Sequence, residues 1–250
     1  MDDYWRAFFR LHCDLPREGP GSDAATREAI RRLPRLPDNP VILDLGCGPG
    51  RQTLVLAREL DVPITAVDFH EPFLAQLRAS AAAAGLAERI VTRCQSFDSL
   101  TDAPESVDLI WCEGAIFILG FGEGLRRWRP MLRPGGCLVA SEAAWLTDTP
   151  PAEVKAFWES VYPAITTAEG NRKTAEEAGF EVVDDFVLPG AAWWDEYLTP
   201  LAARVAMLRP EAAADPMLAQ VLDEMDRELD ITRRYGNTFS YVFFVLQKRA

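Results

Sequence analysis

Histidine is scarce in this chain: His12 and His70 are the only two among 250 residues. With no H-x-x-x-H pair, no Cys–His cluster and no acidic triad at ligand spacing, the sequence offers no metal site. The five cysteines, at 13, 47, 94, 112 and 137, include no C-x-x-C pair and are odd in number, which is not the pattern of a disulfide framework. Four of them fall in predicted strands or strand ends, where a reduced cysteine is a small buried apolar residue. A reducing, cytoplasmic setting is expected. No apolar run approaches the ~18 residues of a membrane span. The start of the chain, Met1-Asp2-Asp3-Tyr4-Trp5, lacks the basic region and apolar core of a signal peptide. Positive charge is also short: 26 Lys and Arg against 38 Asp and Glu give a net charge of -12 and a pI near 4.7. The longest basic groups are the pairs Arg31-Arg32, Arg126-Arg127 and Arg233-Arg234, which read as solvated helix faces. Nucleic acid is therefore not an expected partner.

What the chain does have is apolar content, 48% of its residues, enough for one large core or a core plus a lid. It also has one stretch of unusual character, Val41-Ile42-Leu43-Asp44-Leu45-Gly46-Cys47-Gly48-Pro49-Gly50. Three apolar residues lead into an acid, and glycine then falls on every second position. That reads as a buried parallel strand turning abruptly into a helix over 51–60. Glycines in such a turn let the backbone come close to a ligand, and the ligand expected here is a nucleotide-type cofactor.

From residue 41 onward strands and helices alternate. Strands are predicted at 41–45, 64–67, 90–94, 107–112 and 137–141. Helices are predicted at 51–60, 71–84 and 123–132, and Pro134-Gly135-Gly136 is expected to be a tight turn. Helical segments recur near 151–160, 171–178, 193–208 and 216–234, with extended runs at 181–188 and 239–246. This alternation predicts an α/β chain: a parallel sheet with helices on both faces. Residues 1–38 read as an N-terminal helical extension or lid, with Trp5, Phe8, Phe9 and Leu11 on one face and Ser22 or Asp23 capping a second helix. Residues 39–250 read as the main domain, with helical cap insertions at about 145–178 and 190–235.

The glycine spacing separates two cofactor classes. A dinucleotide turn wants G-x-G-x-x-G, the third glycine allowing close helix–strand packing beside a pyrophosphate. Here Gly46, Gly48 and Gly50 give G-x-G-x-G, and Arg51 stands where that third glycine should fall. Asp44 would face a pyrophosphate badly and a cation or ammonium group well. An NAD-type oxidoreductase is the weaker alternative on this ground, and a cofactor-binding regulatory module without turnover is a second one.

Residues 41–50 resemble the first motif of class I S-adenosylmethionine-dependent methyltransferases, an apolar run followed by D-h-G-C-G-P-G with h apolar. Three further landmarks follow in order. Ala66-Val67-Asp68-Phe69 resembles the second-strand acid, which in that family accepts from both ribose hydroxyls. Cys94-Gln95-Ser96-Phe97-Asp98 occupies the adenine segment, with Ser96 where an acid is commoner and Phe97 and Asp98 as the remaining contacts. Leu132-Arg133-Pro134-Gly135-Gly136 resembles the turn before strand five. Outside this core, Glu18–Ser22, Trp111–Ala115, Ser141–Trp145 and Phe157-Trp158 with Tyr162-Pro163 resemble a small bacterial subgroup of mostly unassigned substrate.

The resemblance implies a Rossmann-like seven-stranded sheet of order 3-2-1-4-5-7-6 with its last strand antiparallel. It implies S-adenosylmethionine as cofactor, S-adenosylhomocysteine as product, and methyl transfer to an O, N, S or C nucleophile. The cofactor-binding candidates are Asp44, Gly46, Cys47, Gly48, Gly50, Asp68, Phe69, Ser96, Phe97 and Glu113, the last through its carbonyl or carboxylate toward the methionine ammonium. Glu142, Glu113 and His70 are the candidate bases. Trp5, Trp145, Trp193, Trp194 and Tyr197 are the candidate aromatic wall for an apolar or cationic small-molecule substrate, with adjacent Trp193 and Trp194 unable to share one helix face. A homodimer is compatible with this reading.

Overall fold

The computed structural model describes residues 3–249. Two short helices, α1 (Asp3–His12) and α2 (Asp23–Arg31), precede the sheet; Ser22 caps α2, its hydroxyl accepting from the Ala25 amide at 3.1 Å. The alternating core then follows as β1 (Ile42–Leu45), α3 (Arg51–Leu60), β2 (Ile64–Asp68), α4 (Glu71–Ala83), β3 (Ile90–Cys94), β4 (Val107–Cys112), α5 (Phe121–Trp128) and β5 (Leu132–Trp145). Beyond it come α6 (Ala152–Val161), α7 (Ala168–Glu177), β6 (Phe180–Val187), α8 (Ala191–Trp193), α9 (Thr199–Leu208), α10 (Pro216–Tyr235) and β7 (Phe239–Lys248).

With a two-residue strand at Thr166–Thr167 set apart, the strand order is β3-β2-β1-β4-β5-β7-β6. β1 to β5 are parallel and β7 is antiparallel to both neighbours, the order and orientation expected. β1 and β4 are buried along their whole length because helices cover both faces. Alternate residues feed two separate cores. Ile42, Leu109, Trp111, Val139 and Phe243 point toward α3, α9 and α10, while Leu43, Ile110, Leu138, Ala140 and Phe244 point toward α5 and α7.

Four local expectations are corrected. The helix over 123–132 begins at Phe121 and stops at Trp128, since Pro130 has no amide to donate and the chain tightens before entering β5. Pro134-Gly135-Gly136 is a bulge inside β5 instead of a turn ahead of it. Gly135 has φ +75°, and the β4 register slips between Val107 and Leu109. The helix predicted over 193–208 starts at Ala191 and carries a π turn at Trp194–Leu198. Its Thr199 amide donates to the Trp194 carbonyl, and Pro200 cannot continue the ordinary ladder. Lastly, α7 packs in the helical layer over the sheet through Ala175 and Ala178, so it is a layer helix where a cap insertion was expected.

The N-terminal extension is tied to later parts of the chain. Tyr4 donates to Glu224 of α10 at 2.8 Å, Arg10 pairs with Glu211, and Arg27 of α2 bonds Glu59 of α3 at 2.7 Å.

Candidate functional site

The chain leaves β1 through three glycines with φ of +66°, +53° and +81° at 46, 48 and 50. Space as well as conformation demands glycine here. A Cβ on Gly46 would lie 2.6 Å from the Ala115 methyl, and one on Gly50 2.2 Å from Leu77. The turn is stitched to the end of β2. Gly46 and Cys47 amides both donate to the Val67 carbonyl at 2.8 and 3.1 Å, and the Gly48 amide donates to Asp68 Oδ2 at 2.9 Å. Asp68 Oδ1 accepts from the His70 amide at 2.8 Å. Burial raises the Asp68 pKa, against the opposing pull of these backbone donors.

Asp44 is turned into the protein. Its carboxylate is wholly buried, with Thr53 Oγ1 at 2.5 Å and Gln52 at 3.5 Å. Burial pushes its pKa up to about 7. It anchors the first turn of α3 beneath the glycines, and the expectation that it faces a cation is revised accordingly. Cys47 is likewise a packed apolar residue.

Around this turn, Phe69 is half exposed. Phe97 is buried edge-on against Trp128 at 5.8 Å, its carbonyl accepting from Trp128 Nε1 at 3.0 Å, and its ring backs Gly46. Ser96 bonds Asp98 and helps hold that carboxylate below its usual range. His70 stacks on Phe9 with centroids 3.8 Å apart, and burial lowers its pKa. The ring is packed beneath α1 at the rim.

At the end of β4, Glu113 is committed to protein partners. Oε1 accepts from Thr26 at 2.7 Å and Trp111 Nε1 at 2.9 Å, and Oε2 from Arg17 at 3.3 Å. Burial raises its pKa, opposed chiefly by Arg17. Arg17 also reaches Glu196 at 2.8 Å and Asp23 at 3.3 Å. Glu113 is therefore a tie between the N-terminal segment and the sheet, and its carboxylate is not free to act as a base or to meet an ammonium.

Glu142, near the end of β5, is different. Oε1 accepts from the Ala143 amide at 2.9 Å, whereas Oε2 is buried and lacks a hydrogen bond of good geometry among the described residues, with the Tyr162 hydroxyl nearby. Burial pushes its pKa up to about 8, opposed by that amide and the Tyr162 hydroxyl. Its neighbour Ser141 accepts from the Gly114 amide at 2.8 Å.

Of the five candidate wall aromatics, Trp193 and Tyr197 are buried in one core cluster with Trp145 and Trp194 packed against it, while Trp5 lies on α1. Trp5 stacks within α1 on Phe9 at 5.7 Å. Trp193 is buried, donates to Ser240 at 3.0 Å and meets Phe239 and Tyr241 edge-on. Trp194 turns the other way, beneath Arg233 at 5.8 Å, beside a depression of about 570 Å³ that lies apart from the glycine turn. Trp145 pairs across the sheet with Phe239, and Tyr197 is buried beside Glu228. Residues that sequence reasoning missed include Arg17, Glu18 and Thr26; the Glu18–Ser22 stretch was conspicuous, but its chemistry depends on partners far along the chain. Among the described residues no group of three His, Cys, Asp or Glu is arranged to hold a metal, and no helix is long and apolar enough to cross a membrane.

Comparison with known proteins agrees with this geometry. Residues 42–136 match a family described as a methyltransferase domain. An uncharacterized methyltransferase of Bacillus subtilis, YodH, is 32% identical over 136 residues, covering 54% of this chain and 57% of that protein. The chain spans about half the length of the curated relatives it matches. A S-adenosylmethionine-dependent methyltransferase from Geobacter sulfurreducens, solved with S-adenosyl-L-homocysteine, superposes with a TM-score of 0.81 at 20% identity over 98% of each chain. The [4+2]-cyclase SpnF superposes with a TM-score of 0.72 at 21% identity, over 91% of this chain and 82% of that one. At such identities these structures establish the fold. Residues 42–136 are thus similar to a methyltransferase domain, on a fold shared with solved S-adenosylmethionine-dependent methyltransferases.

Proposed function

We propose that this chain binds S-adenosylmethionine on the Gly46–Gly50 turn and directs its methyl group to an O, N, S or C atom of a small molecule. The observation that carries the reading is the turn itself. Three glycines of positive φ, too crowded for side chains, lie at the carboxyl end of β1 with the Asp68 carboxylate against the Gly48 amide. This is also where the strand order reverses, between β1 and β4, the usual ligand crevice of open α/β sheets. The acids at its edge suit a cofactor bearing positive charge.

When bound, the cofactor supplies a methyl group on a sulfonium, already a good electrophile. The chain's task is then mainly positioning, which can contribute roughly 7–11 kcal/mol. Asp68 offers its remaining lone pairs to the ribose hydroxyls, Phe69 and Phe97 flank the base, and Gly46 and Gly48 admit close approach. Glu142 accepts the acceptor's proton at Oε2. A pKa held near 8 by burial suits that role at neutral pH and can add about 10²–10⁴ in rate. The methyl acceptor is a small molecule chosen by α1 and the α8–α10 cap, in a cytoplasmic protein.

A second reading, chemistry without methyl transfer on the same fold, is favoured by the likeness to a cyclase. NAD is disfavoured by Arg51, which stands where the third glycine is needed and bonds Asp23 at 2.8 Å. Titration calorimetry with S-adenosylmethionine, S-adenosylhomocysteine and NAD tests the cofactor; binding of NAD alone overturns the proposal. A metabolite screen that reads out S-adenosylhomocysteine tests transfer.

A further inference from the structure

The segment between α1 and α2 carries two consecutive charged residues that go to different places. Arg17 turns to Glu113, Asp23 and Glu196, where its single positive charge is shared among three carboxylates. Glu18 crosses the glycine turn instead. Its Cγ lies 3.2 Å from where a Cβ on Gly48 would be, on the residue whose amide holds Asp68. Both Glu18 oxygens are shielded from solvent and lack a hydrogen bond of good geometry. Oε2 lies 2.8 Å from Nδ1 of His12, itself buried. Burial raises the Glu18 pKa, His12 opposes that rise, and Asp68 adds a smaller push in the direction of burial.

An unsatisfied buried carboxylate is costly unless something neutralises it or donates to it. His12 offsets part of this cost at Oε2, but Oε1 has no donor among the described residues; Asp68 repels the group, and Arg17 is committed to other carboxylates. A ligand on the turn can supply the missing donor. Of the parts of the proposed cofactor, adenine and ribose are neutral, and of its two positive groups, the sulfonium and the ammonium of the amino-acid tail, only the ammonium carries N–H donors. The gain from a charged donor exceeds that from a neutral one.

We infer that Glu18 is a cofactor-binding residue that receives the ammonium of the cofactor's amino-acid tail across Gly48, so that the N-terminal segment completes the site. The inference rests on the reading of the turn as a S-adenosylmethionine site. It also gives the Glu18–Ser22 stretch a chemical purpose, with Gly21 leaving room for the Arg17 guanidinium, 3.0 Å from where a Cβ on that glycine would be.

The test compares two ligands, S-adenosylhomocysteine and 5′-methylthioadenosine, which keeps adenine and ribose but lacks the amino-acid tail. Titration calorimetry of Glu18→Gln should show affinity for S-adenosylhomocysteine reduced at least tenfold, with methylthioadenosine affinity within twofold of wild type. Glu18→Asp keeps the charge on a shorter arm; it should lose less than the glutamine variant, again only for the tailed ligand, and it carries the test should the glutamine variant fail to fold. Equal affinity of the folded variants for S-adenosylhomocysteine, or equal weakening of both ligands, overturns the assignment. Failure of the wild-type protein to bind either ligand overturns instead the function on which the assignment rests.

Discussion

Arg17 and Glu113 meet at 3.3 Å with each side chain only 4% exposed, joining the N-terminal segment to the end of β4. Buried charges of this kind hold a structure in register because neither can be left alone. Arg17→Met should therefore destabilise the fold by about 3–5 kcal/mol, the usual cost of stranding a buried partner. The midpoint of denaturant unfolding measures this. A loss under 1 kcal/mol would mean that Glu113 is neutral and held by Thr26 and Trp111 alone.

Asp68 has two duties, and they separate by experiment. Asp68→Ala should weaken S-adenosylhomocysteine binding at least tenfold through the lost ribose acceptor. It should also cost about 1–3 kcal/mol of stability, because the buried Gly48 amide loses its partner. Calorimetric titration reads the first and thermal unfolding the second. Unchanged affinity removes Asp68 from the ribose role.

Glu142 predicts a pH signature. Its folded pKa of about 8 stands above the value of about 4.3 expected when unfolded. Between those values the folded state holds a proton that the unfolded state has released, so stability falls as pH rises from about 4.5 to about 8. Glu142→Gln removes this contribution. The variant should match wild type near pH 5 and become relatively more stable as pH approaches 8.5. Parallel stability curves for the two proteins would show that Glu142 titrates normally. If Glu142 is also the base, the same substitution should lower turnover by about 10²–10⁴ once a substrate is in hand.

The adjacent tryptophans should differ sharply. Trp193→Ala opens the core against Phe239 and Tyr241 and strands Ser240, at a cost of about 3–5 kcal/mol. Trp194→Ala gives up a surface contact with Arg233, worth about 1 kcal/mol. Chemical unfolding of the pair decides it, and equal losses would contradict the placement of the π turn.

The glycine turn is the most stringent position. Gly50→Ala combines a left-handed conformation with a 2.2 Å overlap on Leu77, so backbone strain of about 1–3 kcal/mol adds to the steric clash. Loss of cofactor affinity with a lowered melting temperature is expected. An alanine variant that binds and melts as wild type would show that α4 yields freely at this point.

Much of this protein follows from local patterns in its sequence. The β1 run, its glycines and the alternation through β5 were legible because strand burial, turn conformation and helix periodicity are set by residues within a few positions of one another. Even the split between Trp193 and Trp194 followed from helix geometry. Where local reasoning erred, a neighbour across the sheet or a single proline intervened: the glycine bulge of β5 is defined by its pairing with β4, and α5 ends short at Pro130. The roles of charged side chains were the least legible part. Asp44 looked ready for a ligand until Thr53 and Gln52 closed over it. Glu113 looked like a ligand contact through carbonyl or carboxylate, whereas Arg17 had already claimed the carboxylate. Arg17 in turn finds Glu196 across 179 positions. The strength of a carboxylate interaction depends on burial and on which opposite charge arrives within a few ångströms, and both are properties of the packed chain. The sequence by itself determined the sheet and the cofactor turn; the tertiary structure decided which acids remain free to use it.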